Sequence, residues 1–178
     1  GQVAYALPLE QGQWWIHSST QHPGEVQHWV AHALGVENKA VTVEWRGKPV
    51  WIIKRTPEQL AELPKLDSQL ADPKSLRKPS ELTPEYARNE GRSIKPDVLV
   101  VVGICTHLGC SPVDKFTRGP QPSLPNDWDG GFLCPCHGST FDLAGRVFSN
   151  KPAPDNLEVP PHQYLSDTRL LIGDDKKA

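Results

Sequence analysis

Two short loops constrain this chain more than any other feature. They read Cys105-Thr106-His107-Leu108-Gly109-Cys110 and Cys134-Pro135-Cys136-His137-Gly138-Ser139. Each holds two Cys and one His, and together they use all four cysteines of the 178-residue chain. One Cys and one His from each loop would supply four metal ligands in two clips. Whatever the fold, it must bring these two segments side by side. The remaining cysteine of each loop is then free to cross-link them.

Cys105-x-His107 and Cys134-x-x-His137 offer two thiolates and two imidazoles. Such a set suits either a single zinc or an iron–sulfur cluster with the two ligand types on different irons. Ligand count alone favours zinc. Three details favour the cluster. Cys-x-His is a tight spacing for two ligands of one tetrahedral ion. Cys110 and Cys136 are surplus to a four-ligand zinc site, whereas a bridge between the loops would clamp a cluster. Gly109 and Gly138 would let backbone N–H groups approach sulfide acceptors.

Composition narrows the rest. A net charge of −2 gives no basic footprint for nucleic acid. Four cysteines are too few for a disulfide scaffold, and their clustering points to metal with one bridge. No apolar run approaches the roughly 18–20 residues of a membrane helix, and no signal peptide is visible at Gly1-Gln2-Val3. Eighteen prolines and fourteen glycines indicate much loop. Val41, Val43 and Trp45 alternate with polar residues, and with Gly47 and Val50 to Ile53 they predict a hairpin over 40–45 and 49–55. Thr56-Pro57-Glu58-Gln59 is a capping-box start. It opens a proline-punctuated excursion of short helices and loops over 56–96. Residues 97–104 read as a buried strand running into the first loop. Residues 146–148 read as a short strand, and a closing hairpin turns at Ser166-Asp167. Residues 23–34 predict an amphipathic helix, with Pro23 at its start, Gly35 as its cap, and Val26, Trp29, Val30, Ala33 and Leu34 on one face. The expectation is a mainly β, antiparallel protein with a helix-loop insertion and a short N-terminal helical extension.

The two loops resemble those of the Rieske iron–sulfur proteins of cytochrome bc1 complexes, bacterial type, and the resemblance runs over roughly 41–178. It implies an antiparallel Rieske-type β-sandwich over 40–178, with the insertion at 56–96 and a cluster-binding subdomain at about 103–155. It implies a [2Fe–2S] cluster with Cys105 and Cys134 on one iron and His107 and His137 on the other. It further implies a Cys110–Cys136 disulfide and a Ser139 hydrogen bond to a bridging sulfide. Leu108, Gly109, Gly138, Phe141 and Pro152 line the cluster in this reading. The cysteine pair separates the quinol-oxidising branch from Rieske ferredoxins and ring-hydroxylating oxygenases, which resemble it in ligands only.

The implied activity is electron transfer from ubiquinol to cytochrome c1, with cytochrome b and cytochrome c1 as partner subunits of ubiquinol–cytochrome c reductase in a respiratory chain. His137 would contact the quinol, and His107 and His137 would couple electron to proton transfer through their outer ring nitrogens. The family works at the periplasmic face of a bacterial inner membrane, so membrane association would come through the complex. A soluble Rieske carrier and a structural zinc module are the competing readings. Two residues depart from the family pattern. Phe141 stands where the family often has Tyr, and Lys151 stands before Pro152-Ala153-Pro154 where it often has Gly.

The N-terminal segment, 1–39, does not share the resemblance. His17 to Pro23 and Val26 to Gly35 are similar to a stretch of the molybdenum-binding subunit of xanthine dehydrogenase, running to about residue 44, which suggests a chimera. His28 and His32 lie four apart on the expected helix, but no third ligand accompanies them, so ordinary solvation is the favoured reading. His17, His22 and His162 have no partner pattern. Trp14, Trp15 and Trp29 suit packing.

Overall fold

The computed structural model describes residues 8–9, 13–14, 29–32, 40–167 and 169–174. Strands β1 (Pro8–Leu9) and β2 (Gln13–Trp14) form a small antiparallel pair. Strand β3 (Trp29–His32) is followed by β4 (Ala40–Trp45) and β5 (Lys48–Lys54). Then come helix α1 (Pro57–Glu62), a 3-10 segment (Leu63–Gln69), helix α2 (Pro79–Leu82) and a second 3-10 turn (Glu85–Ala87). The remaining strands are β6 (Val98–Val102), β7 (Val113–Lys115), β8 (Gly131–Leu133), β9 (Thr140–Phe141), β10 (His162–Ser166) and β11 (Arg169–Ile172). They assemble into antiparallel three-stranded sheets in the orders β4-β5-β6, β7-β8-β9 and β10-β11-β3.

The β4–β5 hairpin forms as its alternation predicts. Its two-residue turn, Arg46-Gly47, has φ of 51° and 72°. That positive pair matches the twist of the flanking strands. Both faces of β5 and β6 are buried, which explains the unbroken apolar run in β6. Trp51, Ile53, Leu99 and Val101 point to one side, where they pack with Cys105, Phe132, Cys134 and Phe141. Val50, Ile52, Val100 and Val102 point to the other, against Leu170 and Ile172. The central sheet is therefore the floor under the cysteine loops and the partner of the C-terminal hairpin at once.

The capping box at Thr56 forms as expected: its side chain accepts from the Gln59 N–H, and the Gln59 side chain accepts from the Thr56 N–H. The excursion is fastened by side chains that its polar sequence does not advertise. Arg55, Arg92 and Arg146 are each at most 1% exposed. Arg55 donates to the carbonyls of Gly91, Leu143 and Pro96 and to the Ser93 hydroxyl. Arg92 donates to the carbonyls of Ala144, Gly145 and Leu157 and to the Thr83 hydroxyl. Burial lowers both guanidinium groups to a pKa of about 10, while Asp142 opposes the shift, so both stay cationic at neutral pH. Arg146 pairs with Asp142 at 2.8 Å and with Asp67 at 2.7 Å.

Two expectations fail. Trp29–His32 is a strand paired with β11, in register Trp29↔Ile172 to His32↔Arg169, and not part of a helix over 23–34. The edge of β11 supplies a hydrogen-bond ladder, and Trp29-Val30 is good strand sequence, so pairing overrides the helical periodicity. The i, i+4 histidine placement therefore does not arise at His32, and His28 lies outside the described residues, as do His17, His22 and Trp15. The strand expected at 146–148 is instead two isolated bridges, Phe141↔Val147 and Leu70↔Phe148. Conversely, β7 carried no recognisable alternation in three residues.

Candidate metal centre

Each cysteine loop is closed by the same pair of backbone bonds. In the first, Gly109 N–H donates to Cys105 O at 3.1 Å and Cys105 N–H to Cys110 O at 2.8 Å. In the second, Gly138 N–H donates to Cys134 O at 3.0 Å and Cys134 N–H to Ser139 O at 2.8 Å. Gly109 (φ 82°) and Gly138 (φ 75°) adopt the left-handed conformation this closure needs. Their own N–H groups are thus spent inside their loops. The strands bring the loops together. The second loop is the turn of the β8–β9 hairpin, and β7, which follows the first, pairs with β8.

The side chains sort by depth. Cys105 and Cys134 are buried free thiols, 2% and 1% exposed. His107 is half-buried and His137 exposed. The two imidazoles meet edge to face with centroids 4.7 Å apart. Cys110 and Cys136 form a disulfide across the loops. Cys134 Sγ lies within 4.8 Å of both bridge sulfurs, but an oxidised pair has no thiolate to offer, so those three sulfurs are not a ligand set. Leu108, next to His107 in the first loop, is 70% exposed.

Burial pushes the Cys105 thiol up, and the neighbouring Cys134 pushes it the same way. The His107 backbone N–H and the Ser139 hydroxyl pull it back. Two thiols crowded below water, under two imidazoles, form a donor set that a cation would satisfy. His107 Nδ1 is buried and has no hydrogen-bond partner among the described residues. Leaving such an atom unsatisfied costs about 1–3 kcal/mol. An iron ligated there removes that cost, so the residues present fit a cluster.

The surrounding residues support the loops. Ser139 is fully buried and its Oγ accepts from Ala153 N–H at 2.9 Å, which joins the second loop to the Pro152-Ala153-Pro154 segment. Pro152 itself is exposed. Lys151 fits without strain because the left-handed residue of that turn is Asn150 (φ 59°), a type that tolerates it. Phe141 is fully buried in β9 opposite Phe132, within the core that also holds Cys105 and Cys134. Sequence reasoning missed Thr106, whose hydroxyl donates to Asp155 O at 2.6 Å, and the buried Asp142–Arg146 pair. Only the i, i+4 spacing of that pair was visible in advance.

Residues 76–161 match the Rieske [2Fe-2S] domain. The chain is 58% identical over 134 residues to the ubiquinol-cytochrome c reductase iron-sulfur subunit of Allochromatium vinosum, covering 75% of this chain and 63% of that protein. It is 43% identical over 137 residues to the subunit of the same name from Rhodospirillum rubrum, covering 77% and 65%. It is 46% identical over 134 residues to the mitochondrial cytochrome b-c1 complex subunit Rieske-1 of Arabidopsis thaliana, covering 75% and 40%. The chain thus spans less than two thirds of the length of each of these relatives.

Proposed function

We propose, from the match of residues 76–161 to the Rieske [2Fe-2S] domain, that the chain passes electrons from ubiquinol to cytochrome c1 as the iron–sulfur subunit of ubiquinol–cytochrome c reductase. Its partners in this reading are the cytochrome b and cytochrome c1 subunits, at the periplasmic face of a bacterial inner membrane. No helix among the described residues is long and apolar enough to cross a membrane. The redox unit is residues 40–178, with the insertion at 56–96 and the cluster-binding part at about 103–155. The observation that carries the reading is the layering of the donor set: buried thiols below, paired imidazoles at the surface, and an unsatisfied His107 Nδ1 facing inward.

Cys105 and Cys134 would hold one iron and His107 and His137 the other. When bound, such a cluster accepts and returns one electron at roughly −150 to +300 mV, because neutral imidazoles replace two thiolates. The chain's own residues do the rest. With Nδ1 of His107 turned inward, its Nε2 is left to exchange a proton with a hydroquinone or with water. His137, which is exposed, would accept a hydrogen bond from a quinol hydroxyl. The exposed Leu108, next to His107 in sequence, would offer an apolar contact to the quinol. The Cys110–Cys136 bridge fixes the spacing of the loops, and the Ser139 hydroxyl donates toward sulfur.

The test is chemical and spectroscopic. Purified protein should contain iron and acid-labile sulfide in equal amounts and give a low-average-g signal on reduction, and ubiquinol should reduce it. A zinc protein silent in that measurement would sink the proposal. A second expectation concerns Phe141. Tyr at this position would place a hydroxyl in the sulfur-lined core, where a ligand sulfur is the acceptor at hand. Phe141→Tyr should raise the potential by about 40 mV, the equivalent of one net hydrogen bond of about 1 kcal/mol. Redox titration checks this, and an unchanged potential removes Phe141 from the determinants.

A further inference from the structure

A short loop of the insertion reaches the segment beside the metal centre. Between Asp72 and Lys78 the chain makes a tight loop with two non-glycine residues in left-handed conformation, Ser75 (φ 53°) and Lys78 (φ 43°). Such backbone is costly for a residue with a Cβ and persists only where the surroundings impose it. Here they do. The Asp72 carboxylate is buried and accepts from Leu76 N–H at 2.9 Å and Arg77 N–H at 3.0 Å. The buried Asn156 amide donates to Asp72 O and to Ser75 Oγ. The loop delivers two cations to one place. Arg77 donates to Pro154 O at 3.0 Å, and Lys78 to Asp155 Oδ2 at 2.8 Å.

Residues 153–155 are held from the opposite side by the two cysteine loops. Thr106 donates to Asp155 O from the first, and Ser139 Oγ accepts from Ala153 N–H in the second. A hydroxyl whose oxygen accepts a fixed N–H has its proton turned away from that donor. The Cys105 thiol is among the neighbours of the Ser139 hydroxyl, which pulls that thiol's pKa down.

We infer that Arg77 and Lys78 are positioning residues of the redox site: they seat residues 153–155 so that Ala153 N–H orients the Ser139 hydroxyl. The inference rests on the proposed function above. The Lys78–Asp155 pair is partly exposed, with 54% and 9% of its side chains accessible. Pairs of this kind add little to global stability. Their effect belongs in the local placement of one loop. Loss of the clamp frees the loop, the hydroxyl rotates away from sulfur part of the time, and the reduced state loses some of its hydrogen-bond support.

The experiment uses the full chain with its cluster, comparing the native protein, the double variant Arg77→Met/Lys78→Met, and Lys78→Arg. Hydrogen exchange at the Ala153 amide should be about three- to fivefold faster in the double variant, with the β6 amides unchanged and Lys78→Arg close to native. The midpoint potential should shift downward in the double variant. That shift should vanish in a Ser139→Ala background, since a hydroxyl that is absent cannot be misplaced. Unchanged Ala153 exchange overturns the clamp. A shift that persists in full without Ser139 overturns the relay, because it is then a through-space effect of the lost charges. Faster Ala153 exchange in a chain that never shows a low-average-g signal overturns the redox role and leaves a purely structural clamp.

Discussion

Arg146→Ala should lower the unfolding free energy by about 3–5 kcal/mol, the usual cost of removing one partner from a buried ion pair. The Arg146 side chain is 0% exposed and ties four places together: Asp142, Asp67, and the carbonyls of Leu63 and Pro73. Truncation leaves the Asp142 carboxylate, also 0% exposed, with the backbone N–H groups of Ala144 and Arg146 as its hydrogen-bond donors among the described residues. It also opens a guanidinium-sized void between the insertion and the turn after β9. For a domain of this size the melting temperature should fall by roughly 6–20 °C. Arg146→Lys should recover little, because a single ammonium cannot reproduce the fork that spans Asp142, Asp67 and Leu63. Thermal and urea unfolding of both variants would check this. A loss below about 1 kcal/mol would mean that the pair does not hold the insertion down.

The second large effect is expected at the Cys110–Cys136 bridge. Its partners are 26 residues apart, and closing a loop of that size stabilises by about 3–4 kcal/mol in the chain-entropy account. It is also the one covalent tie between the two ligand loops, and Cys136 is exposed and open to reductant. Cys110→Ser/Cys136→Ser, or mild reduction of the native protein, should lower the melting temperature and speed the loss of iron. Iron release followed by absorbance against time separates the two consequences. Destabilisation without faster release would confine the bridge to global stability.

Legibility from sequence followed the reach of the interactions. The β4–β5 hairpin, the Thr56 cap and the closing hairpin are set by neighbours a few residues apart, so local pattern found them. The cysteine loops were legible because ligand chemistry demands particular residue types at short spacing. Trp29–His32 was misread because its fate depends on the free edge of β11, far along the chain, while its periodicity suits a helix equally well. The same limit hid the burial of Arg55, Arg92 and Arg146. A lone arginine in a polar stretch reads as surface, and only the fold reveals the carbonyls waiting for it. Gly109 and Gly138 are legible as glycines flanking the ligands, whereas the turn closure they perform shows only in the fold.

The buried arginines also bear on how fast the chain can fold. Arg55 reaches Leu143 across 88 residues, Arg146 reaches Leu63 across 83, and Arg92 reaches Leu157 across 65. Contacts of such separation close large loops before they return any free energy, which slows folding and makes it late and collective. Stopped-flow refolding should therefore show the insertion and the cysteine loops gaining protection in the same slow phase. While the 142–157 stretch is still being synthesised, the thiols and imidazoles are already made, but Arg55 and Arg92 have no carbonyls of Leu143, Ala144 or Leu157 to fasten the insertion.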